Sequence, residues 1–151
     1  MTKDSNLKED FEYLERLIIK SCLENEQYLS VVIPYLNSNL FSSKHNKKII
    51  ELLQKYFSKF NKRPTSAELS AFLSSDKLKE AYILVKKSSE EIEDEVEYNT
   101  LLDHTEKFLK LQSFQNTLLT IAEKWDSVSD KDDLVTFYNS VEKIIGYSLR
   151  S

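Results

Sequence analysis

One glycine, one cysteine and two histidines limit the chemistry open to this chain. A nucleotide site cradles phosphate in a glycine-rich loop, whose bare backbone approaches the oxygens and presents N–H groups. Gly146 is the only glycine, so a Walker-type loop cannot form. A structural zinc site takes four nitrogen or sulfur ligands at close spacing. Cys22, His45 and His104 are one ligand short and far apart in the chain. Cys22 lies in the apolar run IIKSCL and reads as a small core residue, because nothing near it signals the electropositive cleft of a reactive thiolate. The acidic pairs Glu90/Glu91 and Asp132/Asp133 read as solvated faces, and His104 as a partly exposed or hydrogen-bonded histidine. The expectation is a chain with no catalytic site, no cofactor and no metal.

Two basic clusters remain. Lys44, Lys47 and Lys48 open one apolar-periodic run, and Lys59, Lys62 and Arg63 follow its end beside Phe57 and Phe60. Lys44, Lys48, Lys59 and Arg63 are the candidate phosphate contacts, with aromatic rings nearby for single-stranded bases to stack on. The clusters fall at opposite ends of one helix, and a formal charge of −4 with pI ≈ 5.3 supplies no bulk attraction to nucleic acid. A solvated surface is the plainer expectation for both.

The elements that carry these residues are helical. One Gly and two Pro are too few for an all-β architecture with its frequent turns. A hydrophobic content of 40% with eight Tyr, eight Phe and one Trp supplies a core, and 151 residues suit one domain or a small domain with an appendage. The single cysteine excludes an internal disulfide, and a reducing compartment is the default. No basic-then-apolar leader and no apolar run of about 18 residues, the length a membrane span needs, is present. The expectation is a soluble cytoplasmic protein, in the host cytoplasm if viral, with no membrane partner.

Residues 1–6 read as a frayed start, followed by a helix through Phe11, Leu14, Leu17, Ile18 and Cys22. Asn25 caps a short helix that Pro34 ends, and Tyr35 to Phe41 reads as a loop with apolar anchors. Ser42 or Ser43 caps a third helix with Ile49, Ile50, Leu52, Leu53, Tyr56 and Phe57 inward. Asn61-Lys62-Arg63-Pro64 is the clearest turn, and Thr65 with Glu68 fits a capping box. Asp76 opens a fifth helix offering Ala81, Tyr82, Leu84 and Val85 to the core. The fold expected is all-α: a head of about five short helices over residues 7–87, a charged junction over 88–97, and an αα-hairpin over 98–149.

The hairpin carries the functional argument. His104, Phe108, Leu111, Gln115, Leu118, Ala122 and Trp125 alternate steps of four and three, which lays one seam along a helix. Trp125 is expected to anchor that seam. After a polar loop, Leu134, Tyr138, Val141 and Ile145 repeat the step, with Phe137 and Ile144 alongside. Leu102 and Leu109 lie roughly 100° around the helix from Phe108, and Phe114 and Ile121 widen the other flank. One hairpin hides one stripe, so the surplus meets the head or another chain. Leu102, Leu109, Phe114, Ile121, Phe137 and Ile144 are the interface candidates, with packing against the preceding helices as the alternative for Leu102 and Leu109.

The runs ERLIIKSCLENEQYLSVVIPYLNSNLFSS and HNKKIIELLQKYFSKFNKRPTSAELSAFL, with LLDHTEKFLKLQSFQNTLLTIAE and LVTFYNSVEKII as the hairpin helices, resemble the N-terminal part of a DnaB-type replicative DNA helicase, most like the T-even bacteriophage form. The resemblance spans residues from about 13 to 148 and rests on helix and turn pattern. It implies the non-catalytic collar of such a helicase, in which hairpins pair and the pairs build a ring around the DNA channel. It further implies a homo-oligomer that docks primase or a helicase loader and meets DNA only indirectly. The ATPase motor would lie beyond Ser151, and no catalytic residue carries over. The alternatives are a free-standing helical adaptor of the replication machinery and a weak nucleic-acid-binding protein.

Overall fold

The structure is a computed structural model that describes residues 3–146, 148 and 149, with side chains from residue 10 onward except that of Ile145. Residues 1 and 2 of the expected frayed start, and the place of the Ile145 side chain in the second seam, lie outside the described residues. The fold is all-α. Seven helices and three short 3-10 turns account for the regular structure, and no strand occurs among the described residues.

Helix α1 (Lys3–Glu24) is already helical over residues 3–6, where fraying was expected. Asn25 caps α2 (Glu26–Val32) by accepting the Tyr28 N–H, and Pro34 turns the chain into the 3-10 segment Ile33–Tyr35. Helix α3 (Lys44–Phe60) starts at the Ser43 cap and stops at Asn61, whose φ of 53° is left-handed. Asparagine tolerates that conformation, and its N–H closes on the Phe57 carbonyl at 2.7 Å. Helix α4 (Ser66–Ala71) opens with the expected capping box between Thr65 and Glu68. Helix α5 (Asp76–Glu90) is capped by Ser75, and α6 (Tyr98–Lys124) by the Glu97 carboxylate. The 3-10 turn Trp125–Ser127 and the Asp130 cap then lead into α7 (Lys131–Ile145).

The core gathers Leu17, Ile18, Ile19 and Cys22 of α1, Tyr28, Leu29 and Val32 of α2, Ile49, Ile50 and Leu53 of α3, and Val85 of α5. Leu84, offered to this core by the sequence, is exposed instead. The first turns of α6 enter the same core through Leu101, Leu102, Phe108 and Leu109. Phe108 closes it against the rings of Phe41 and Phe11, at 5.6 and 6.1 Å between centroids. Each such buried side chain contributes about 1.5–3 kcal/mol. Head and hairpin therefore do not divide at residue 98: one continuous helix starts in the head and leaves it after Leu109. The junction is also shorter than expected, because α5 continues to Glu90 and Ile92 is buried beyond it.

Two polar links fix the head. Thr105 donates its hydroxyl proton to the Leu101 carbonyl at 2.8 Å, so the buried Tyr28 hydroxyl donates to Thr105 Oγ1 at 2.6 Å and ties α2 to α6. Glu15, only 3% exposed, accepts from the Ser42 N–H and hydroxyl, the Ser43 N–H and the Asn46 amide, all within 3.0 Å. That carboxylate occupies the positive N-terminal end of α3, where a helix favours an anion.

Candidate functional site

Beyond Leu109 the character of the molecule changes. No residue described from Lys110 to Gly146 is buried, yet this stretch holds the exposed Leu111, Phe114, Leu118, Leu119, Trp125, Leu134, Val135 and Tyr138. The arrangement follows from three faces on α6. The first, with Leu101, Thr105, Phe108 and Leu109, is buried in the head. The second faces α7: Thr117 and Ile121 line a common groove with Thr136, Phe137 and Ser140. Glu106 lies on that side and holds the returning chain, accepting the Leu149 N–H at 2.8 Å. The third face carries Lys107, Leu111, Phe114 and Leu118, with Trp125 just past its end; Lys107 and Leu111 line a groove against α1, and Leu111, Phe114, Leu118 and Trp125 are all exposed.

A right-handed helix advances about 100° per residue, and reversing chain direction reverses the sense of rotation seen from one end. Measured from the inward Ile121 and Phe137, Leu118 on α6 and Leu134 and Tyr138 on α7 therefore turn to the same side of the hairpin. Together they make one apolar face with Leu111, Phe114 and Trp125. At its base this face runs into a groove of ≈ 410 Å³ between α1 and α6, lined by Phe11, Leu14, Leu17, Val96 and Leu111 with Asp10 and Lys107 among the polar groups.

The expected interface residues divide. Leu102 and Leu109, at 4% and 0% exposure, are core residues of the head and are corrected accordingly: packing against the preceding helices takes them. Ile121, Phe137 and Ile144 are half-buried in the hairpin, with Ile121 and Phe137 on its inner seam. Phe114 is exposed on the free face. The seam assigned from the four-three steps is displaced as well. Leu111, Leu118 and Trp125 belong to the outer face, and Trp125, 58% exposed, anchors no core. Leu111, Leu118, Trp125, Leu134 and Tyr138 were thus missed as surface residues. Their signal was present as a second apolar stripe beside Ile121, and the stripe facing α7 was the wrong one of the two.

The basic candidates are not brought together. Lys44 and Lys48 sit in the first turns of α3 and Lys59 in its last, about 20 Å away at 1.5 Å per residue. Arg63 donates Nη1 to the Leu23 carbonyl at 2.7 Å and so caps the C-terminal end of α1. Lys59 lies over the Phe60 ring at 5.4 Å, and Lys62 pairs with Glu68 at 3.1 Å. The anion position at the start of α3 is filled by Glu15. Nothing here builds a phosphate-tracking groove.

Titration is perturbed at structural positions. Burial pushes the Cys22 thiol up, which leaves it protonated and unreactive. Hydrogen bonds from Tyr56, then from the Thr65 backbone and Lys62, hold the Glu68 carboxyl down at about 2, while desolvation and that same bond push Tyr56 up to about 12. Among the described residues no three His, Cys, Asp or Glu side chains gather to hold a metal ion, and no helix is long and apolar enough to cross a membrane. What the arrangement offers is an exposed apolar face spread over two helices. No family model, no curated protein and no solved structure matches this chain.

Proposed function

We propose that this chain is the non-catalytic N-terminal collar domain of a DnaB-type replicative DNA helicase, pairing through its hairpin in ring assembly and docking primase or a helicase loader. The observation that carries this proposal is the free apolar face of α6 and α7. The six side chains Leu111, Phe114, Leu118, Trp125, Leu134 and Tyr138 expose roughly 600 Å² together, at the upper end of the largest patch on a typical monomer. Such a face at the far end of a well-packed head suits an assembly module better than a solitary protein. The residue runs that resemble the helicase family support this specific reading, and the collar role rests on the same resemblance.

The mass of the chain in solution tests the proposal. Dimers or multiples of dimers are expected at micromolar concentration, and Leu118→Asp with Leu134→Asp should give a monomer of unchanged helical content. A wild-type chain that stays monomeric at high concentration removes the ring-assembly role and leaves the free-standing adaptor, which would use the same face for a different protein. An ATPase domain encoded in frame after Ser151 supports the collar, and its absence from the gene supports the adaptor.

A further inference from the structure

We propose that two copies of this chain pair about a two-fold axis passing close to Leu118, each seating Trp125 in the α1/α6 groove of the other. The inference rests on the assembly role above and adds to it a register and an anchor. On the free face of α6, Leu111 stands seven residues before Leu118 and Trp125 seven after, while Phe114 stands four before and Ala122 four after. Running a second α6 in the opposite direction about that point sets apolar against apolar throughout. Leu118 meets its own copy, Phe114 meets Ala122, and Leu111 meets Trp125.

Shape follows the same symmetry. Trp125 is a projecting ring at the tip of the hairpin, and the groove of ≈ 410 Å³ opens at its base, about 20 Å away along α6. A projection at one end and a cavity at the other is what an isologous interface requires, since residue i of one copy contacts j of the second and j contacts i. Complete burial of the six exposed residues, roughly 600 Å² on each copy, removes about 1,200 Å² in total, the lower end of the range of stable, specific interfaces.

Trp125 is the only tryptophan, so its emission reports this contact alone. Diluting the full chain should shift that emission to the red in step with the fall in mass followed by sedimentation. Trp125→Ala and Leu111→Glu should each weaken pairing roughly 1,000-fold, because the dimer of either variant loses both copies of the anchor contact, each worth roughly 30-fold. Mixing the two variants should recover part of the loss, because the heterodimer places one intact Trp125 in one intact groove. Leu118→Cys should form a disulfide-linked dimer on oxidation whereas Leu119→Cys, on the adjacent outer face, should not; the buried Cys22 stays out of the reaction. A chain that is monomeric throughout overturns both this pairing and the assembly role. A dimer whose tryptophan emission ignores dissociation, or that links through Leu119→Cys and not Leu118→Cys, overturns this pairing alone.

Discussion

Glu15 shows what a single side chain does here. Its carboxylate takes four donors from the first turn of α3 and the residues before it, so it is both the anion at a helix N-terminus and the lock between α1 and α3. Glu15→Ala leaves buried donors without partners and should cost about 2–4 kcal/mol, read from the urea midpoint at constant slope. Glu15 was not legible in the sequence, where it is one acid among many; only the fold brings Ser42 and Asn46 to it. Glu68 was legible, because the capping box is a local motif, and its depressed pKa gives a pH dependence of known sign. The folded-state value of about 2 lies below the ordinary 4.5, so the stability it contributes is complete above that ordinary value and is lost as pH falls toward 2. Glu68→Gln should flatten that part of the acid limb of the stability curve, measured by urea unfolding between those two pH values.

At the scale of the element, α6 behaves as two helices in series. Its first turns contribute Leu102 and Leu109 to the head, and its remainder packs against α7 with no described side chain buried. Leu109→Ala should therefore destabilise the fold by about 2–5 kcal/mol, whereas Trp125→Ala in dilute monomeric protein should change it by less than about 0.5 kcal/mol. Chemical unfolding of the two variants side by side checks both values; an equal loss would mean that the indole is packed after all. The four-three periodicity found this helix and its amphipathic character. It could not say which of three apolar stripes meets which neighbour. That depends on the rotation of α6, which the head fixes through Phe108 and Leu109, and on Glu106 holding Leu149.

For the whole molecule, the separation of a dense core from an apolar, thinly packed rod predicts uneven stability. Amides of α6 beyond Lys110 should exchange hydrogen much faster than those of Leu101 to Leu109 in the monomer, since no described side chain of that rod is buried. In the assembled state the distal amides should slow, with the largest change around Leu118. Exchange followed at two protein concentrations checks this, and protection independent of concentration would show that the rod needs no partner. Lys44 and Lys59 remain at opposite ends of α3, so assembly should be far less sensitive to salt than phosphate binding would be.

The sequence by itself determined the all-α class, the caps at Asn25 and Thr65, a cap at Ser42 or Ser43 that the structure assigns to Ser43, the turn at Asn61 to Pro64, and the pair of C-terminal helices. Each of these is decided by residues within about one helical turn of each other, where side-chain type and spacing fix the backbone directly. The tertiary structure alone decided that Leu102 and Leu109 belong to the head, that Arg63 caps α1, and that Leu111, Leu118 and Trp125 face outward. These outcomes depend on how helices distant in the chain rotate and dock, and a periodic stripe fixes the existence of a buried face without naming the surface that buries it.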